Sequence, residues 1–229
     1  MKLTELQIQK LYTFTQKHYV DWYDVQTELV DHLANGIEGH LIQNPNATFE
    51  SALNSEFKKF GIMGFNDVIE EKTKALNTHY RKLVWTYFIN FFKLPKILMT
   101  MFLIWAYYQL LILLPNRLWI VAPTAILLLV IPIWKLYQQS QIIRRVKKET
   151  NKKWLFDNIA LQLGGLIHFL QIVLQLGFLN SEGIWSNTSN FIFSVLIVLF
   201  SLTLYVAIYI VSPELRLDIS KQHPEYKFD

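Results

Sequence analysis

The sequence predicts an all-α integral membrane protein, with a small cytoplasmic helical bundle followed by four transmembrane helices. Three observations carry this prediction. The stretches 97–114, 118–134, 158–179 and 191–211 are apolar and contain no Asp, Glu, Lys or Arg. Helical runs of roughly 17–25 such residues match a hydrocarbon core of ~30 Å, where no water can satisfy a free backbone group. Residues 1–82, by contrast, place apolar side chains on one face at helical spacing, and strand signals are absent. The charge divides in the same way: residues 1–83 carry a net −2 and the remainder a net +6, within an overall +4 and a mean hydropathy of +0.22.

Leu3, Leu6, Leu11 and Phe14 line one face of a first helix, and a break follows at Tyr19–Asp21. Trp22, Val25, Leu29, Leu33 and Ile37 mark a second, which ends near Gln43 before Asn44-Pro45-Asn46. Thr48 is placed to cap a third, whose stripe is Phe49, Ala52, Leu53, Phe57 and Phe60. Gly61 falls where a left-handed residue ends such a helix. A fourth helix begins near Asn66 and carries Val68, Ile69, Leu76, Tyr80 and Leu83. Together these form the cytoplasmic domain 1–82.

Residues 83–96 read as a separate interfacial helix, because Trp85, Tyr87 and several Phe side chains suit the headgroup region. A single span through this segment would be too long for a bilayer. It would also carry Lys93 and Lys96 inward at about 2.5–3.5 kcal/mol each. Pro95 then opens the first span. Only Pro115-Asn116-Arg117 joins spans one and two, which makes them antiparallel neighbours, and Pro123 and Pro132 are expected to kink span two. The membrane domain is 97–211, and 212–229 is a cytoplasmic tail.

The linker 138–153 contains Arg144, Arg145, Lys147, Lys148, Lys152 and Lys153, whereas the loop 180–190 has no basic residue. The positive-inside rule therefore puts the linker and both termini in the cytoplasm of a cell whose inner membrane holds the spans. The same six cations are expected to face anionic lipid. No apolar core of a signal peptide opens the chain.

Several function classes lose support at this level. A near-neutral soluble part lacks the basic stripe that nucleic-acid binding needs. With no cysteine there is no disulfide, thiolate zinc site or cysteine nucleophile. No phosphate-cradling glycine loop, HExxH or nucleophile elbow appears, and Asp157 and Glu182 stand alone at the span ends. An enzyme and a cofactor are therefore not expected. The densest polar cluster is Glu28, Asp31, His32, Asn35, Glu38 and His40. Glu28 and His32 are i,i+4 neighbours expected to pair, and two ligands are too few for a closed metal site. In the third span, Gly164, His168, Gln171 and Gln175 share a face, and their polar groups are expected to bond across helices.

The run WYDVQTELVDHLANGIEGH at 22–40, followed by ATFESALNSEFKKFG at 47–61, resembles the HAAS-type, permease-prefix-like signalling domain. The resemblance covers about residues 19–72. It implies a small cytoplasmic helical domain ahead of membrane spans, with Glu28, Asp31 and His32 on the family's motif and a role in signalling rather than catalysis. The partner it implies is a cytoplasmic regulator, of the PadR-like kind, or another membrane subunit. The reading is thus a sensory or regulatory membrane protein. A transporter or permease accessory subunit, half of a homo-oligomeric carrier, is the alternative, with His168 its one ionisable intramembrane residue.

Overall fold

The computed structural model describes residues 2–114, 116–162, 171, 175, 186–222 and 226. All regular structure among them is helical: α1 (Glu5–Lys17), α2 (Tyr23–Gln43), α3 (Phe49–Lys58), α4 (Asn66–Ile89), α5 (Lys96–Leu113), α6 (Leu118–Thr150), α7 (Leu155–Gln162), α8 (Asn187–Tyr205) and α9 (Ser212–Gln222). A 3-10 turn, Asn90–Phe92, follows α4, and a π-helical segment, Val206–Val211, joins α8 to α9. The chain forms two compact units: Met1–Asn77 with Lys147–Ile159, and Thr78–Val146 with Ala160–Asp229.

The first unit is a helical bundle built by local rules. Thr4 caps α1 and exchanges a capping box with Gln7; Thr48 caps α3 through the Ser51 amide. Gly61, at φ 75°, ends the turn after α3 in the left-handed region that glycine adopts without strain. Leu11, Val20, Val25, Leu33, Ile37 and Ala52 have no exposed surface, and Leu155 and Ile159 complete the same core. Gly36 sits where α2 meets α3, and a Cβ there would lie 2.5 Å from Glu56 Oε2, so the carboxylate would have to shift. Glu56 itself is buried and accepts from Lys59 at 2.7 Å.

The core corrects the sequence reading of the region after α6. Residues 147–153 were expected in a linker and 158 onward in a span. Instead α6 ends at Thr150, Asn151 turns left-handed at φ 54°, and Trp154, Leu155, Phe156 and Ile159 are buried, Leu155 and Ile159 in the bundle core. A run of four apolar residues broken by Asp157 fits a protein core better than lipid, where an acidic group is costly. The rest of the expected span, 163–179, lies outside the described residues except for Gln171 and Gln175.

In the second unit, three helices rather than four are long and apolar enough to cross a membrane among the described residues: Lys96–Leu113, Leu118–Thr150 and Asn187–Lys221. Pro123 and Pro132 both lie inside α6. The core gathers Leu111, Val121, Phe193, Ile197, Val198 and Leu202. The expected separate interfacial helix at 83–96 is not separate, because α4 continues unbroken to Ile89. Tyr80, Val84, Phe88 and Phe91 recur at helical spacing; Tyr80 and Val84 are buried, and Phe88 and Phe91 pack on the Leu111 core. Trp85, on the opposite side, stays exposed. The expected tail from 212 begins as helix α9, tied back by Tyr87, whose hydroxyl donates to Glu214 at 2.7 Å. That bond to a carboxylate holds the Tyr87 hydroxyl above its ordinary value of 10.0.

Candidate functional site

The polar groups of the bundle converge on the first two turns of α2. Trp22 starts this helix without a side-chain cap, so its first amides need partners from elsewhere. The Tyr23 amide donates to the carbonyl of Lys153 at 2.7 Å. In return, the Leu155 amide at the start of α7 donates to Asp24 Oδ1 at 3.1 Å. Each helix start is thereby satisfied by the other segment. Lys153 Nζ pairs with Asp21 at 2.6 Å, and Lys152 Nζ lies 3.7 Å from the centre of the Tyr23 ring. The same ring meets Trp154 edge-on at 5.3 Å. Gln26 donates its side-chain amide to the Val20 carbonyl, which fixes the loop between α1 and α2.

From the other side, Lys72 of α4 donates to the Asp24 carbonyl at 3.5 Å and forms an ion pair with Glu28. Asp24 is buried, and desolvation raises its carboxyl above the ordinary 3.8 despite the Leu155 amide and the Lys72 charge. The result is a polar clasp: three acidic groups, Asp21, Asp24 and Glu28, hold two distant segments to α2. It offers a way to attach or release those segments, and it holds no nucleophile beside a base.

The sequence-expected residues fall as follows. Glu28 turns to Lys72, so the expected Glu28–His32 pair does not form; an ammonium is a stronger partner for a carboxylate than an imidazole one turn away. Asp31 and His32 are exposed on α2, with the His32 ring edge-on to Phe60 at 5.7 Å. Among the described residues no group of three or more His, Asp or Glu converges as a metal site would require. Lys152 and Lys153, expected to face lipid, bind the bundle instead, whereas Arg144, Arg145, Lys147 and Lys148 are exposed on α6. Gln171 and Gln175 are helical and exposed, and His168 lies outside the described residues. In α8, Ser194 and Ser201 turn back to their own helix, donating to Asn190 and Ile197 carbonyls at 2.8 and 2.7 Å.

Sequence reasoning missed Asp21, Asp24, Lys72 and the segment 152–157. One signal was present: an apolar Trp154-Leu155-Phe156 run directly after two lysines and before Asp157 is too short and too charged at its edges to open a span. Comparison of the chain with known protein families, with curated proteins and with solved structures finds no match.

Proposed function

We propose that the chain is a non-enzymatic regulatory membrane protein in which a cytoplasmic helical bundle and the membrane helices exchange conformational state. The observation that carries this reading is the return segment: Lys147–Ile159, the end of the second apolar helix and the residues after it, belongs to the bundle and supplies Leu155 and Ile159 to its core. The chain passes between the units inside helices α4, α6 and α7. A ligand or partner that favours one arrangement of such helices biases the other, provided that two arrangements lie within a few kcal/mol. The clasp supplies contacts of that size, being made of hydrogen bonds and partly exposed ion pairs rather than core packing. The resemblance of 19–72 to HAAS-type domains supports a cytoplasmic regulator as partner, and Asp31 and His32 are exposed to meet one.

The test is affinity purification of tagged full-length protein from gently solubilised membranes, beside a Glu28→Ala, Asp31→Ala, His32→Ala triple variant. A cytoplasmic regulator recovered with the parent and lost from the variant is the expected result. Recovery of permease subunits alone favours the accessory-subunit alternative, and recovery of no partner by the parent sinks the regulatory reading.

A further inference from the structure

The second unit contains a cavity of about 660 Å³, within the ~300–1,000 Å³ range of sites that bury a whole small ligand. Its wall is formed by Met99, Leu103 and Leu110 of α5, Thr124 of α6, and Val198 and Leu202 of α8. Lys96 and Leu110 both line it and lie on one helix, so it extends for about 21 Å at ~1.5 Å per residue. That exceeds the ~15 Å depth of one leaflet's hydrocarbon. Three hydroxyls in the wall, those of Tyr107, Thr124 and Ser201, are already used. Tyr107 donates to Thr124 at 3.4 Å, Thr124 donates to the Ile120 carbonyl at 2.8 Å, and Ser201 donates to Ile197. Apart from Lys96 and the Tyr205 hydroxyl, what the walls present to an occupant is hydrocarbon.

One end differs. Lys96 is the one charged group among the described lining residues, and it is exposed. Its Nζ lies 4.9 Å from the Phe91 ring centre, and no carboxylate among the described residues pairs with it. Phe91 meets Tyr205 edge-on at 6.3 Å, Tyr205 stacks on Tyr209, and Lys135 Nζ lies 5.3 Å from the Tyr209 ring centre. Two cations are thus held on one chain of aromatic faces with no anionic partner among the described residues, and one of them, Lys96, lines the slot. The side toward α5 is open, since Met99 is 62% exposed.

From this geometry we infer that the slot between α5, α6 and α8 takes an acyl chain of an anionic phospholipid, with its phosphate on Lys96. The chain's methylenes match the apolar walls, and the ammonium supplies what a bulk zwitterionic lipid gains least from. A lysine at the mouth of a slot open to the bilayer selects an anion with a hydrocarbon tail, not a soluble anion. The inference does not depend on the regulatory reading and holds equally for an accessory subunit.

The experiment uses purified full-length protein in mild detergent, mixed with equal amounts of phosphatidylglycerol and phosphatidylcholine bearing the same chains, and read by native mass spectrometry. One phosphatidylglycerol per chain should be retained, at about five-fold preference, the worth of one lysine against an anionic lipid. Lys96→Gln should bring the two lipids to parity while leaving one lipid bound. Ala106 of α5 also lines the slot, so Ala106→Phe, which fills it, should remove retention of both; Met99→Trp at the open rim is the second filling variant if the first does not fold. Parity in the parent protein, an unchanged preference in Lys96→Gln, or retention that survives filling would each overturn the assignment.

Discussion

The two units use the same residue types in opposite directions. In the bundle, Leu11, Val20, Val25, Leu33 and Ile37 have no exposed surface. In the second unit, Trp105, Trp119, Ile126, Leu127 and Trp134 are each more than half exposed. Burial in water gains about 25 cal/mol per Å², so the bundle collapses around its apolar stripes. Lipid tails are as apolar as leucine, so helices long and apolar enough to cross a membrane would gain little there by hiding such faces. The candidate spans also differ among themselves: 11% of the apolar window of Lys96–Leu113 is buried against 56% for Asn187–Lys221, so the last helix is the more enclosed of the two. The difference teaches that one kind of mutation should have unequal effects in the two: truncation costs most in a closed apolar core and least on an exposed apolar face.

The largest effect is expected from leucine truncation. Leu155 is 2% exposed in the bundle core, and Leu127 is 56% exposed on α6. Leu155→Ala should cost about 2–5 kcal/mol by leaving a cavity, whereas Leu127→Ala should cost less than about 0.5 kcal/mol. Hydrogen exchange of the full-length protein in lipid nanodiscs reads this as at least tenfold faster exchange of the α2 amides in the first variant alone. Equal effects would break the contrast between a closed apolar core and an exposed apolar face.

Asp24 gives an intermediate effect and sharpens the comparison within the bundle. Asp24→Ala removes the acceptor of the Leu155 amide and should cost about 1 kcal/mol, as for other helix caps. Asp24→Asn keeps that oxygen and removes a buried charge, so at pH 7 it should be near neutral. The folded carboxyl titrates above its ordinary 3.8 because of desolvation, so the folded state takes up the proton first on acidification. This group's contribution is therefore most favourable at low pH and falls as pH rises through the window from 3.8 to the raised value. Exchange protection of α7 measured across pH 4–8 should lose that component in Asp24→Asn. A parent protein whose clasp gains from this group as pH rises would contradict the assignment.

Helices α1 to α4 were legible because their periodicity and caps are local: Thr48, Gly61 and the Val25–Leu29–Leu33–Ile37 stripe lie where the rules put them. The extension of α4 was legible too, in the spacing of Tyr80, Val84, Phe88 and Phe91, but aromatic content suggested a membrane surface first. The return segment was not legible, since its partners Asp21 and Asp24 lie 132 and 131 residues away along the chain. Lysines before an apolar run read the same whether they flank a span or bind a bundle. Glu28 was misassigned for the same reason: its i,i+4 neighbour His32 was visible, and Lys72, 44 residues on, was not.

The smallest effect belongs to the ion pair at the edge of the clasp. Lys153 and Asp21 are 2.6 Å apart, but their side chains are 39% and 62% exposed. Water screens such a pair, and its worth is about 0.2–1 kcal/mol. Asp21→Asn should therefore loosen residues 152–157 by less than Asp24→Ala does. The Debye length falls from about 10 Å at 0.1 M to about 3 Å at 1 M salt, so the difference between parent and variant should shrink toward zero across that range. Leu155→Ala should keep its full effect at 1 M, because the hydrophobic contribution does not depend on charge. Exchange rates of 152–157 in the three proteins at the two salt concentrations make the comparison directly. If Asp21→Asn costs as much at 1 M as at 0.1 M, the pair acts through packing rather than charge. The clasp would then be an extension of the core instead of a polar latch upon it, and charge alone would not release the return segment.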